Sequence, residues 1–142
     1  MDPLSLAAGV TGLILFVKEV KQLSMELYRT VKKRPPFLRA VSEDLEALQS
    51  VLEELEHKHE MPREGSTQEQ NMLSKVLSSC NRTLTEINER LVALQQMFSK
   101  KIVSRLLSYK KFETVLEEIA NLRDELAAFK ATLSLALHLR AM

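Results

Sequence analysis

Glycine and proline are scarce, three and four in 142 residues. A many-turned β-sandwich or an α/β domain with a glycine-rich nucleotide loop needs far more of both, so the composition reads as helix. Cys80 is the single cysteine, which excludes an intramolecular disulfide, and no Cys/His cluster has zinc spacing. Tryptophan is absent. Neither sign of charge dominates: 20 basic and 19 acidic side chains leave a formal net charge of +1, and the basic segments have little aromatic interleaving, which argues against a nucleic-acid partner. Between Pro3 and Val17 there is no charge at all, but this 15-residue run is shorter than the roughly 17–25 residues of a spanning helix. Asp2 stands where a cleaved signal peptide would carry a basic flank, so we read neither a membrane span nor a secretory leader.

What is present is 45% apolar and 27% charged residues, enough for one core in one domain over 1–142 without metal or disulfide support. The first 33 residues read as one long helix, with Asp2 as cap, Pro3 at the first helical position and Pro35 and Pro36 as the first breakers. Its first half is uncharged and its second half amphipathic. Leu38, Val41, Leu45, Leu48, Leu52 and Leu55 then mark one face of a helix from about Pro36 to about His59, whose other face carries Glu43, Asp44, Glu46, Glu53, Glu54 and Glu56. Met61 to Ser66 is the clearest loop, and Ser66 with Glu69 has capping-box spacing. The third helix places Leu73, Leu77, Cys80, Leu84, Ile87, Leu91, Leu94 and Phe98 on one stripe, which makes packing the role expected of Cys80. Ser99 to Lys111 is basic, with no acidic residue, and reads as a short connecting helix. The last helix follows through Phe112, Val115, Ile119, Leu122, Leu126, Phe129, Leu133, Ala136 and Arg140. Helices of this length with short connections fold back on one another, so the expected class is all-α: an antiparallel four-helix bundle with a short basic connecting helix between helices 3 and 4. No cofactor is needed to complete its core.

The opening MDPLSLAAGVTGLILFVKEV resembles the start of the fungal HeLo-like amino-terminal domain, which heads many STAND or NLR-type receptors. The closing Leu122, Leu126, Phe129, Lys130, Thr132, Leu133, Ser134, Leu135, Ala136 and Leu137 are similar to the family's terminal Leu-x3-Leu-x3-Lys-x-Thr-Leu-x-Leu-Ala-Leu signature. The tryptophan that many relatives carry before the last helix is missing, and Tyr109 and Phe112 are the nearest aromatics. The resemblance implies a cell-death-inducing effector bundle that attacks membranes, similar in architecture to that of the mixed-lineage-kinase-like necroptosis executioner. It further implies oligomerisation driven by an upstream receptor or amyloid-signalling segment. The chain stops at Met142 still in helical pattern, as expected of an effector domain excised from a longer protein or of a stand-alone homologue.

Three groups of residues are candidates for function. Leu4, Leu6, Val10, Leu13, Ile14, Leu15, Phe16 and Val17 lie all around the first helix, so a single core-facing stripe is not expected to bury them, and they are candidates for lipid insertion. The alternative is burial as a central helix or against a second copy. Ser5 with Gly9 and Ala8 with Gly12 form two small-x3-small pairs that let helices approach closely in a bilayer or in a tight bundle. Arg29, Lys32, Lys33 and Arg34, with Lys100, Lys101, Arg105, Lys110 and Lys111, are expected at one pole, where anionic membrane lipids are the preferred ligand. The reading is therefore a non-enzymatic effector, cytoplasmic at rest and at the plasma membrane once self-associated; the rival is a self-associating adaptor bundle that never touches lipid. His57 and His59 are two apart and so diverge on a helix, which argues against a metal site. His138 belongs to the end of the last helix, and the sequon Asn81-Arg82-Thr83 falls inside a helix.

Overall fold

The computed structural model describes the backbone of residues 3–30, 35–59, 67–99 and 105–141, and side chains over 8–30, 36–57, 71–97 and 111–138. These residues form four helices: α1 (Pro3–Thr30), α2 (Pro35–His59), α3 (Thr67–Ser99) and α4 (Arg105–Ala141). No strand occurs among them. α1 and α2 each open on a proline, whose missing N–H is one of the donors a first turn leaves unpaired in any case. The expected capping residues Asp2 and Ser66 lie outside the described residues.

The stripes of threes and fours are the core. Leu38, Val41, Leu45, Leu52 and Leu55 of α2 are fully buried, as are Cys80, Leu84, Ile87, Leu91 and Leu94 of α3. α4 contributes Phe112, Val115, Ile119, Leu122, Leu126 and Leu133, and adds Leu116 and Leu137. Two hydroxyls drawn into this core, those of Ser24 and Thr83, are paired, as burial favours. The Ser24 hydroxyl donates to the Lys21 carbonyl one turn earlier at 2.7 Å, and the Thr83 hydroxyl donates to the Glu125 carboxylate on α4 at 3.2 Å.

α1 packs on α2 and α3, and α4 packs on α3 and α2; among the described residues the backbones of α1 and α4 do not come close, nor do those of α2 and α3. The helices thus stand at four corners with α1 and α4 across the diagonal. Polar pairs between them match in spacing. Thr11 donates to Glu56 at 2.6 Å and Lys21 lies 3.9 Å from Glu46, so rising numbers in α1 meet falling numbers in α2. Between α3 and α4 the same holds for Thr83 with Glu125 and Arg90 with Glu118.

One expected element differs. The basic stretch does not form a helix of its own among the described residues: Ser99 ends α3, Arg105 to Lys111 are the first turns of α4, and 100–104 lie outside the described residues. The reason is continuity. No proline or glycine falls between Arg105 and Ala141, and Phe112, Val115 and Leu116 carry the buried stripe straight on from the basic turns.

Candidate functional site

α1 sorts its uncharged half by side-chain size. Val10, Leu13, Ile14 and Val17 face inward with Val20 and are buried, and Phe16 packs half-buried against the same core. The outward arc holds Ala8, Gly9, Thr11, Gly12 and Leu15, all exposed. Of the large side chains described in this stretch only Leu15 points out, at 57% exposed. One stripe therefore takes most of the bulk that the sequence reading placed all around the helix. The side chains of Leu4, Ser5 and Leu6 lie outside those described.

The small residues leave a smooth, open strip. A methyl group placed on Gly9 or on Gly12 would meet nothing within 4 Å, so the small-x3-small pairs are not used for packing within the described part of the chain. Thr11 is the one hydroxyl on this strip, and its bond to Glu56 ties the uncharged half of α1 to α2. A second exposed apolar side chain, Leu135 at 59%, stands on α4 beside exposed Ser134, Ala131 and Thr132. No helix among the described residues is long and apolar enough to cross a membrane.

Of the nine basic residues expected at one pole, the structure describes the surroundings of two. Arg29, in the last turn of α1, and Lys111, near the start of α4, are both exposed. Lys32, Lys33, Arg34, Lys100 and Lys101 lie outside the described residues, and of Arg105 and Lys110 only the helical backbone is described. The acidic face of α2 does more than solvate that helix. Glu56 and Glu46 hold α1, and the Asp44 carboxylate accepts a bond of 2.6 Å from Arg123 Nε on α4. The same guanidinium lies over the Phe37 ring, 5.5 Å from its centre, so one side chain clamps two turns of α2. Sequence reasoning missed this clamp. The equal spacing of ten residues between Thr11 and Lys21 on one helix and between Glu46 and Glu56 on the next is a signal for the α1–α2 pairing only.

Cys80 is fully buried in the α3 stripe, and burial pushes its thiol from 9.0 up to about 12. A thiol so suppressed packs; it does not attack. No group of three or more His, Cys, Asp or Glu that could hold a metal is found among the described residues.

We found no match to the chain among curated proteins or among solved structures. A family model does match, over residues 1–142, with the description pigment biosynthesis cluster protein PigL N-terminal. A match over the full length shows the family, and this all-helical chain belongs to the PigL N-terminal domain family.

Proposed function

We propose that the chain is a HeLo-like effector domain: an antiparallel four-helix bundle that perturbs membranes when it self-associates. The observation that carries this reading is the outward strip of α1, uncharged from Ala8 to Leu15 and open at both glycines. Apart from the Thr11 bond to Glu56, the strip stands exposed among the described residues. Small residues in it would let the α1 helices of neighbouring copies approach closely in a lipid environment, where packing drives association. At rest the domain is cytoplasmic, with Val10, Leu13, Ile14 and Val17 held in the core; an upstream receptor or amyloid-signalling segment would cluster it at the plasma membrane. An up-down-up-down course would bring the α1–α2 and α3–α4 connections to one pole, where Arg29, Lys111 and the basic residues between the helices would meet anionic lipid at about 1 kcal/mol each. The described helices are too short in apolar length to span singly, so clustered copies would thin the bilayer instead.

The test is dye release from anionic vesicles by protein clustered through a fused oligomerising tag. Leu13→Glu is unsuitable because Leu13 is core. Leu15→Glu changes only the exposed strip and is expected to abolish leakage while leaving the thermal midpoint unchanged. Equal leakage from wild type and Leu15→Glu would remove α1 from the mechanism. The rival reading, a self-associating adaptor, draws on the burial of four large α1 side chains in the core. Vesicle flotation separates the two, since an adaptor stays in the dense fraction whatever the lipid charge.

A further inference from the structure

The outward faces of α1 and α4 carry the same features in the same order. Among the described residues three large apolar side chains are exposed: Leu15 on α1, Leu135 on α4 and Met72 on α3. Exposed Ala8, Thr11 and Gly12 lead along α1 to Leu15, and exposed Ala128, Ala131 and Thr132 lead along α4 to Leu135. Threes and fours separate the members of each set, so each set is one ridge on its helix. On both ridges the leucine stands about 10 Å beyond the first small residue, at ~1.5 Å per residue.

The two ridges stand at one height on opposite corners. Thr11 with Glu56 ties α1 to α2, and Arg123 with Asp44 ties α4 to α2. Residues 60–66 reach less than about 30 Å fully extended, so α3, roughly 50 Å long, begins at the pole where α2 ends. α4 runs against α3 and therefore along α2. Glu56 lies twelve residues past Asp44 and Leu135 twelve past Arg123, which puts Thr11, Glu56 and Leu135 level. Counted from there in opposite directions, Leu15 is level with Ala131 and Arg29 with Glu117. Because α1 and α4 occupy diagonal corners, the two ridges look away from each other and do not meet within one chain.

We propose that a second copy of the chain covers these faces, with α1 of one copy packed antiparallel on α4 of the next after a sideways shift. Such a shift leaves heights unchanged. Leu135 then enters the gap framed by Ala8, Thr11, Gly12 and Leu15, while Leu15 enters the gap framed by Ala128, Ala131, Thr132 and Leu135. The flanking charges agree with this register. Arg29 and Glu117 are both exposed, neither has an ion-pair partner among the described residues, and the shift brings them level. Lys18 comes within about a turn of Asp124 and Glu19 within about a turn of Lys130; Glu26 falls beside Asn121, and at no height do like charges meet. A second copy is the occupant because both halves of the fit belong to this one chain and are already level. The contact is heterologous, so each added copy leaves one face of each kind free and a row grows, every copy the same way up. One helix pair, about 30 Å by ~10 Å a side, buries roughly 600 Å², too little for a stable dimer, so single contacts are weak and clustering strengthens them. The inference rests on the self-association common to both readings above and does not require lipid.

The experiment is sedimentation velocity on the full 142-residue chain, without lipid, from micromolar to millimolar concentration. Wild type is expected to pass beyond dimers as concentration rises. Leu15→Glu and Leu135→Glu each block one face, so each alone is expected to stay monomeric, with its thermal midpoint unchanged because both positions are exposed. Mixed together, the two variants are expected to pair and to stop at pairs, since one supplies an intact α4 face and the other an intact α1 face. Arg29→Glu and Glu117→Arg are each expected to weaken association about two- to fivefold, and the double variant to recover it. A short bismaleimide is expected to join Gly12→Cys copies to Ala131→Cys copies and neither to its own kind, the native Cys80 being buried. A wild type that remains monomeric, a mixture that fails to pair, or Gly12→Cys copies joined to one another would overturn the row. Its failure is distinguishable from that of the membrane reading: rows that form while clustered copies release no dye fault that reading alone, and leakage without rows faults only this inference.

Discussion

Replacing Gly9 and Gly12 together by alanine tests the outward strip of α1 on two axes at once. Both glycines lie in the interior of a helix that runs from Pro3 to Thr30, beyond its first turn. Glycine in such a position costs about 0.8–1.0 kcal/mol relative to alanine, chiefly because the unfolded chain has more conformations to lose. A methyl group at either site meets nothing within 4 Å, so no repacking term offsets the gain. The two sites sum to about 1.6–2 kcal/mol. For a chain of 142 residues this raises the thermal midpoint by about 5 °C, taking roughly 3 °C per kcal/mol. Urea unfolding of the double variant should move the midpoint up with the slope unchanged. In the clustered leakage assay the same variant should be weaker, since each added methyl holds neighbouring helices apart. A fall in stability would refute the reasoning outright, because it would mean that the glycine face is already packed against something.

Three further outcomes follow from the core and its clamps. Leu91→Ala, at a fully buried position on α3, should cost about 2–5 kcal/mol by urea denaturation, whereas Leu15→Ala should cost less than 1. Arg123→Ala and Asp44→Ala should each destabilise by about 1–2 kcal/mol, since the pair is only partly shielded from water. Their double-mutant cycle should show a coupling, and Phe37→Leu should lower the cost of Arg123→Ala further. Cys80 should resist iodoacetamide at pH 8 until the chain unfolds, because a thiol raised from 9.0 to about 12 carries about a thousandfold less thiolate. The native thiol keeps its proton to higher pH than the unfolded one. Its contribution to stability is therefore complete below pH 9.0 and is lost as the pH climbs towards about 12, a slope that Cys80→Ala should remove.

The inward faces of the helices could be read from spacing alone. Leu38 to Leu55, Leu73 to Leu94 and Phe112 to Leu133 are buried where threes and fours place them, because a stripe wider than one side chain must leave water somewhere. Spacing does not say which stripe meets which, so the corner arrangement, with α1 touching α3 and not α4, was not legible. Nor was the division within Leu13-Ile14-Leu15-Phe16-Val17, where hydropathy is nearly uniform and only packing decides that Leu15 faces out. The glycines signalled close approach, but a sequence does not tell whether a small residue is small to admit a neighbour already present or one yet to arrive.

The diagonal separation of α1 from α4 has a mechanical consequence. Among the described residues α4 is seated on α2 and α3, so peeling away the first rod would leave a connected trio in which the last rod still bridges the other two. The loss would fall on the two seams that α1 makes with α2 and α3, which share the row formed by Val10, Leu13, Ile14, Val17, Val20 and Leu27. A scaffold joined in this manner would lose two of its four helix pairings with the first rod and keep the other two.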